Sequence, residues 1–394
     1  MRDVLDELST LWAEGRPFGM ARVVRTWRSA PRAPGAAMAV GADGAAFGSV
    51  SGGCVEGAVY ELAREVTESG RPVLQRYGIS DDDAGAVGLT CGGVIDILVE
   101  PVDHQVFPEL GDVLTSVREG EPVAVVTVIE VDGSGATVEG ESSDGSPPEL
   151  GRRLVVWPDR RSGTLGSTRL DDAVADDVRG MLAAGTTEVL RLGRHGERRA
   201  DDLALFVQSL APKPRMIVFG AIDFAASMAR MGTFLGFRVT VCDARPIFAT
   251  KRRFPDVDEV VVDWPHRYLD RELEAGTIDG RTVLCVLTHD PKFDVPLLQA
   301  ALRTPAAYIG AMGSRRTHDD RMERLREAGL GDDDLSRISS PTGLDIGART
   351  PEETAVSIAA EIVQIRWGGT GARLGVLSGP IHRESAGLTV RTDP

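Results

Sequence analysis

The sequence predicts an α/β protein in two parts: an N-terminal, internally duplicated α/β (α+β) domain, then a C-terminal Rossmann-like, doubly wound parallel sheet. Three observations carry this. Residues 1–211 repeat their own pattern once, with a period of roughly one hundred residues. Ala211-Pro212-Lys213-Pro214 makes a stiff extended linker. Beyond it, short unbroken apolar strands alternate with helices, which indicates a parallel sheet covered on both faces.

The elements follow in order. The first copy, residues 1–103, opens with a helix whose Leu5, Leu8, Gly15 and Pro17 are matched by Leu110, Val113, Gly120 and Pro122 of the second copy, residues 106–211. The strand FGMARVVRTW is matched by VAVVTVIEV. Gly35-AAMAVGADGAAFGS aligns with Gly151-RRLVVWPDRRSGTLGS, each reading as strand, turn and strand. Helices ending at Gly70 and Gly185 correspond, as do LQRYG with VLRLG and DILVEPV with ALFVQSL. A repeat of this length describes a pseudo-twofold domain and not a solenoid of short units. The third region, residues 215–378, runs MIVFG, a helix to Leu235, RVTVCDA, DEVVV, a helix near 267–275, TVLCVLT, a helix near 294–303 and AAYIG. Cys242 and Cys285 fall inside its strands and read as core. The final helix begins at a capping box, Thr350-Pro351-Glu352-Glu353, and a tail occupies residues 379–394.

Composition narrows the function. With 394 residues, 42% of them hydrophobic, the chain can bury substantial cores. A net charge of -15 disfavours nucleic acid and membrane surfaces. No stretch approaches the ~20 apolar residues that span a bilayer, and MRDVLDELSTLWAEG reads as a mixed-charge helix rather than a signal peptide. With only four cysteines, a cytoplasmic protein with reduced thiols is expected.

The candidate site begins with two glycine-bracketed cysteines, Ser51-Gly52-Gly53-Cys54-Val55-Glu56 and Leu89-Thr90-Cys91-Gly92-Gly93. Glycines remove side-chain bulk and permit backbone angles closed to other residues, so a ligand can approach both sulfurs and the neighbouring amides. The first loop is expected to run straight into a helix over 54–69, whose N-terminal amides favour an anion and a thiolate. Glu56 either orients a polar ligand edge or merely favours the first turn. The second copy serves as a control: where the first has SVSGGCVEG it has STRLDD, read as a shorter loop without glycine or cysteine. A purely structural turn should survive in both copies. No cysteine-histidine spacing suits a tetrahedral metal site.

In the C-terminal region, Gly220-Ala221-Ile222-Asp223 stands where a dinucleotide fingerprint would be, with Asp243 about twenty residues on, at the ribose-binding position. Isoleucine replaces the second glycine and Asp223 would repel a phosphate, so NAD(P) binding is doubtful. A better anion site is Gly310-Ala311-Met312-Gly313-Ser314-Arg315-Arg316, with Ser314 as N-cap and Arg315 and Arg316 as phosphate partners. Thr288-His289-Asp290 and the loop containing Asp345 and Arg349 are expected on the same edge. Arg321, Arg324 and Arg326 read as a solvated helix face.

Taken together, SGGCVEG, LTCGG, FGAID, THD, IGAMGSRR and PTGLDIGARTPEETAVSIAAEI resemble the XdhC/CoxI family, and the resemblance covers nearly the whole chain. It implies a cytoplasmic accessory protein rather than a turnover enzyme. Such a protein binds the molybdopterin-type molybdenum cofactor transiently, protects it during sulfuration, and delivers it to an apo molybdenum hydroxylase of the xanthine or carbon monoxide dehydrogenase type. The sulfur would come from a cysteine desulfurase. On this reading Cys54 and Cys91 contact the molybdenum or relay sulfur, while the Rossmann-like crevice holds the pterin phosphate. The competing expectation is an NAD(P)-dependent oxidoreductase using Cys54 or His289. The oligomeric state is open, a homodimer being one option.

Overall fold

Two copies of one motif build the N-terminal unit, Met1–Pro212, and a Rossmann sheet builds the C-terminal unit, Lys213–Ser378. The computed structural model describes residues 1–27, 31–78, 93–132, 147–288 and 290–378.

The first copy runs α1 (Leu5–Glu14), β1 (Phe18–Trp27), β2 (Ala37–Val40), β3 (Ala46–Gly48), α2 (Glu56–Ser69), β4 (Val73–Tyr77) and β5 (Val94–Val102). The second runs α3 (Leu110–Glu119), β6 (Ala124–Val131), β7 (Arg153–Val156), β8 (Arg161–Gly163), α4 (Thr168–Ala184), β9 (Glu188–Leu192) and β10 (Leu203–Ser209). Their antiparallel sheets share one strand order, β3-β2-β1-β5-β4 and β8-β7-β6-β10-β9. The four helices end on left-handed Gly15, Gly70, Gly120 and Gly185, with φ of 69–75°, a conformation that glycine adopts without Cβ strain.

Alternation along the strands divides each sheet into two apolar faces. Ala21, Val23, Ile95, Ile97 and Val99 pack against Val59, Ala63 and Val66 of α2, and the second sheet packs on Leu170, Val174 and Val178 of α4 in the same way. Val24 and Leu98 of one sheet meet Ile129, Ala204 and Phe206 of the other. The order is helix, sheet, sheet, helix.

Strand register shows where the pseudo-dyad lies. Ala37 pairs with Arg22 and Met20 with Glu100; in the second copy Arg153 pairs with Thr127 and Val125 with Gln208. Arg22 and Thr127 are thus equivalent positions, as are Glu100 and Gln208, and Ala37 and Arg153. The guanidinium of Arg22, fully buried, donates to Glu100 Oε1 (2.7 Å), Thr127 Oγ1 (2.9 Å) and Gln208 Oε1 (3.3 Å). One arginine therefore touches its own counterpart across the pseudo-dyad. Removing one partner from such a buried pair costs about 3–5 kcal/mol.

The C-terminal unit comprises β11 (Arg215–Phe219), α5 (Asp223–Phe234), β12 (Arg238–Asp243), β13 (Glu259–Val262), α6 (Pro265–Glu274), β14 (Val283–Val286), α7 (Pro291–Leu302), β15 (Tyr308–Ala311), α8 (Arg315–Glu327), α9 (Asp332–Leu335), β16 (Ile338–Ser339) and α10 (Pro351–Trp367). All pairings are parallel, in the order β13-β12-β11-β14-β15-β16, the doubly wound arrangement. Met228 of α5 and Ile358 of α10 cover one face; Leu269, Leu297 and Leu325 of α6, α7 and α8 cover the other. Cys242 and Cys285 are core residues, and burial pushes both thiols up, Cys285 to about 12. The Thr350 capping box forms in both directions. Strand order reverses between β11 and β14, where Gly220 (φ 111°) lies so close to the next strand that a Cβ would sit 3.2 Å from the Leu287 carbonyl oxygen.

Arg321 corrects one expectation. It is 3% exposed and not on a solvated face; Arg324 and Arg326 are the exposed ones. Its guanidinium bonds Asp294 (3.0 Å), the Met312 carbonyl (2.8 Å) and Ser340 Oγ (3.1 Å), while Asp294 accepts the Thr288 hydroxyl. One buried ion pair thereby ties together the chain leaving β14, β15 and β16. The arginine pattern along the helix could not show it, because Asp294 comes from a different helix.

Candidate functional site

The Cys54 loop begins at a forced glycine. Gly48, at φ 82°, closes β3 with its α-carbon so near β2 that a Cβ would lie 2.3 Å from the Ala37 carbonyl oxygen. The chain then folds around the carboxylate of Glu56. Ser49 Oγ (2.7 Å) and the amides of Ser51 (2.8 Å) and Val50 (3.3 Å) donate to Oε1; the Gly53 amide (2.8 Å) and the Ser51 hydroxyl donate to Oε2. The Gly52 amide bonds Ser49 Oγ (2.9 Å), and those of Cys54 (3.0 Å) and Val55 (2.9 Å) bond Ser51 Oγ. Every amide from Val50 to Val55 has a partner inside the loop.

This changes the chemistry expected of the loop. Its amides do not wait for an anion, because Glu56 is a resident one. Burial pushes the Glu56 carboxyl up, but the hydroxyls of Ser51 and Ser49 and the Ser51 amide outweigh it and hold the group at about 2. The helix begins at Glu56, two residues after Cys54, not at 54. What the loop offers a ligand is the half-buried Cys54 beside Gly52 and Gly53, both exposed, with φ of 74° and 115° and nothing within 4 Å of either would-be Cβ. The positive φ angles demand glycine, and the open side leaves a bare surface next to sulfur.

The second copy is a closer control than its sequence suggested. Gly163 repeats Gly48, with φ 82° and a would-be Cβ 2.7 Å from the Arg153 carbonyl oxygen, and the buried Leu165 repeats Val50. The Leu165 amide donates to Asp171 Oδ1 (2.7 Å), so Asp171 stands where Glu56 stands. Gly48 to Glu56 and Gly163 to Asp171 are both steps of eight (56 − 48 and 171 − 163), so the second loop is the same length, not shorter, and the sequence alignment at Gly166-Ser167 was three residues out of register. The copies differ in conformation. In the second, Ser167 caps a helix starting at Thr168, accepting the Leu170 amide at 3.3 Å. That helix starts three residues before Asp171, so the first copy has one turn of helix replaced by the glycine turn carrying Cys54.

Gly93 is described, buried at the entrance to β5. Cys91, Gly92 and His289 lie outside the described residues. Asp243 ends β12 at 3% exposure with its carboxylate occupied: Arg245 donates from its amide (2.9 Å), Nε (2.9 Å) and Nη2 (2.7 Å). Asp223 starts α5 at the crevice, exposed and 3.6 Å from Arg253. Ser314 caps α8 through the Thr317 amide (3.1 Å), and Arg315 and Arg316 are exposed with no ion pair among the described residues. Asp345 and Arg349 are exposed in the loop before α10. Ser49 and the Asp294–Arg321 pair are the residues that sequence reasoning missed; the Ser49–Glu56 spacing, matched by Thr164–Asp171, was the available signal for the first. Among the described residues no cluster of three His, Cys, Asp or Glu side chains could hold a metal ion, and no helix is long and apolar enough to cross a membrane.

Comparison with known proteins gives a consistent result. The model of the XdhC and CoxI family matches residues 11–78 and 116–193, one stretch in each sheet copy, and that of the XdhC Rossmann domain matches residues 216–362. The chain is 29% identical over 349 residues to a protein of Bacillus subtilis (strain 168) named as a probable xanthine dehydrogenase subunit, covering 88% of this chain and 92% of that one. It is 25% identical over 352 residues to the molybdenum cofactor insertion chaperone PaoD of Escherichia coli (strain K12), covering 89% and 84%. A crystal structure described as a xanthine dehydrogenase from Bacillus halodurans superposes with a TM-score of 0.64 at 27% identity, over 92% of this chain and 95% of the other.

Proposed function

Because the chain belongs to the XdhC and CoxI family, we propose that it serves molybdenum-cofactor maturation as a cofactor-binding chaperone for a molybdenum enzyme. In the finer reading it holds the molybdopterin-type cofactor while an oxo ligand is replaced by sulfido, with sulfur from a cysteine desulfurase. It then passes the cofactor to an apo-hydroxylase of the xanthine dehydrogenase type. The observation that carries the reading is the glycine turn beside Cys54, present in one copy and replaced by an ordinary capped helix in the other. A thiol flanked by bare backbone suits a bulky ligand with a soft metal and a dithiolene. Glu56 fixes the platform rather than touching the pterin, and Ser51, Gly52 and Gly53 shape it. Cys91, Gly92 and Gly93 are assigned to the same site. In the C-terminal unit, Ser314, Arg315 and Arg316 are the phosphate partners, and Gly220, Asp243, His289, Asp345 and Arg349 are assigned to the same site. The dinucleotide oxidoreductase reading loses support at Asp243, whose carboxylate is closed by Arg245 where a ribose would bind.

The test is metal analysis and pterin fluorescence on protein purified from a molybdate-fed host. The parent should carry both molybdenum and pterin; Cys54→Ser should fold as the parent does and retain much less of either. A parent without pterin, or a serine variant loaded like the parent, refutes the assignment.

A further inference from the structure

A cavity of about 500 Å³ opens between the two copies of the N-terminal unit, lined among others by Pro72, Glu100, Glu109, Arg152, Arg153 and Thr164. From its charge we infer that it is a binding site for a small molecule bearing an oxyanion, a phosphate or a carboxylate. The inference is independent of the cofactor reading.

The charge is set at the back of the cavity. Glu100, fully buried, is shared by two guanidinium groups: Arg22 on Oε1 at 2.7 Å and Arg153 on Oε2 at 2.5 Å. The remaining partners of the two arginines are neutral, namely Thr127, Gln208 and the Val106 carbonyl (3.0 Å). Two cations around one anion leave one positive charge uncompensated in the interior, which is costly unless an anion approaches. Arg153 is the member that lines the cavity, 8% exposed, held over the Phe107 ring at 4.6 Å, with no acceptor for Nε among the described residues. Arg152 adds a second guanidinium at the rim, without an ion pair among the described residues. Glu109 is the opposing group; it is half-buried and accepts the Ser162 hydroxyl at 3.3 Å. Counting Arg22, Arg152 and Arg153 against Glu100 and Glu109, the site keeps one excess positive charge.

The other copy has the matching cavity, about 420 Å³, lined by Arg2, Asp3, Gly35, Thr187 and Gln208. There Gln208 replaces Glu100 and Ala37 replaces Arg153. Arg2 is turned to the Leu210 carbonyl (2.8 Å) and Arg32 to Asp3. The two cavities thus differ in their inner charge: a carboxylate shared by two guanidiniums in one, a neutral amide in the other. The volume suits a ligand of mononucleotide size.

Calorimetry on the full chain with inorganic phosphate, and separately with acetate, at constant ionic strength tests this. Saturable binding of at least one is expected, and the stronger of the two names the group. Arg152→Gln, a rim change that leaves the buried cluster intact, should weaken it about tenfold. Arg153→Gln should abolish it but strips a partner from buried Glu100 and can unfold the unit. Glu100→Gln gives the opposite sign: it leaves two buried guanidiniums without their carboxylate and lowers Tm in the absence of ligand, while phosphate or acetate should bind about tenfold tighter and raise the variant's Tm more than the parent's. The Arg315→Ala, Arg316→Ala double variant removes the phosphate partners proposed for the C-terminal unit, and should still show the separate binding event that Arg152→Gln weakens. No saturable binding to the parent, equal binding in Arg152→Gln and Glu100→Gln, or loss in the Arg315, Arg316 variant alone, each overturns the proposal.

Discussion

Glu56→Gln isolates the interaction that shapes the Cys54 turn. The carboxylate accepts from Ser49, Val50, Ser51 and Gly53, five donors on two oxygens. Glutamine keeps the size but presents an amino group to the Gly53 amide and Ser51 hydroxyl, donor against donor. Holding a carboxyl at about 2 instead of 4.5 favours the charged folded form by at most about 3 kcal/mol. Glu56 is only half-buried, and screening reduces the expected loss in Glu56→Gln to about 1–2 kcal/mol. For a unit of this size that lowers Tm by about 3–6 °C. The folded-state pKa is depressed, so the contribution is complete above the unfolded value near 4.5 and is lost as pH falls toward 2. Melts of parent and variant should therefore differ most at pH 7 and converge as pH falls from 4.5 to 2. Alkylation of Cys54, followed by mass spectrometry of its peptide, should speed up in the variant. A Tm gap of the same size at pH 7 and pH 3, or none at either, would show that Glu56 does not organise the loop.

Gly53→Ala meets no neighbour but places alanine at φ 115°, so it should cost about 1–2 kcal/mol in denaturant melts while lowering pterin content more than that loss explains. Gly48→Ala drives a Cβ to 2.3 Å from the Ala37 carbonyl and should cost about 3 kcal/mol or more, read the same way. Asp294→Asn leaves buried Arg321 without its carboxylate and should destabilise the C-terminal unit by about 3 kcal/mol, visible as a lower melting transition. Arg315→Ala with Arg316→Ala should change stability by less than about 0.5 kcal/mol, since both side chains are exposed, and should weaken retention of a phosphate-bearing pterin measured by equilibrium dialysis.

Much of the architecture was legible because it rests on local signals. The paired helix-ending glycines, the alternation in β1 and β6, and the unbroken apolar strands after Pro214 each follow from backbone stereochemistry or from the face a strand buries. The Thr350 capping box was readable for the same reason, since its partners are three residues apart. Contacts between elements were not. Arg321 looks like any other arginine on a charged helix until α7 brings Asp294 beneath it. Arg22 and Glu100 meet through the pairing of β1 with β5, and the facing of the two sheets adds Arg153; neither contact is local in sequence. At the Cys54 loop the glycines and the thiol were visible, but the hydrogen-bond economy that commits every amide to Glu56 or the serines depends on a turn geometry that residue types do not specify. The register error at Gly166-Ser167 arose because a glycine-serine pair occurs in both copies at positions that are not equivalent.

The meeting of Arg22 with Thr127 has a consequence for how such a domain can exist at all. In a true homodimer, any residue on the twofold axis faces its own image, so an arginine there would confront an arginine, flanked by two copies of Glu100. A single chain carrying both halves is released from that identity. One side can be charged and the other neutral, and the axis can hold an asymmetric cluster that no pair of identical protomers could assemble. Rewriting the second half to copy the first, with Thr127→Arg, Gln208→Glu and Arg153→Ala together, would restore the symmetry at these positions and set two guanidiniums and two carboxylates around one axis. Covalent fusion is what lets the two halves diverge in chemistry while keeping one fold.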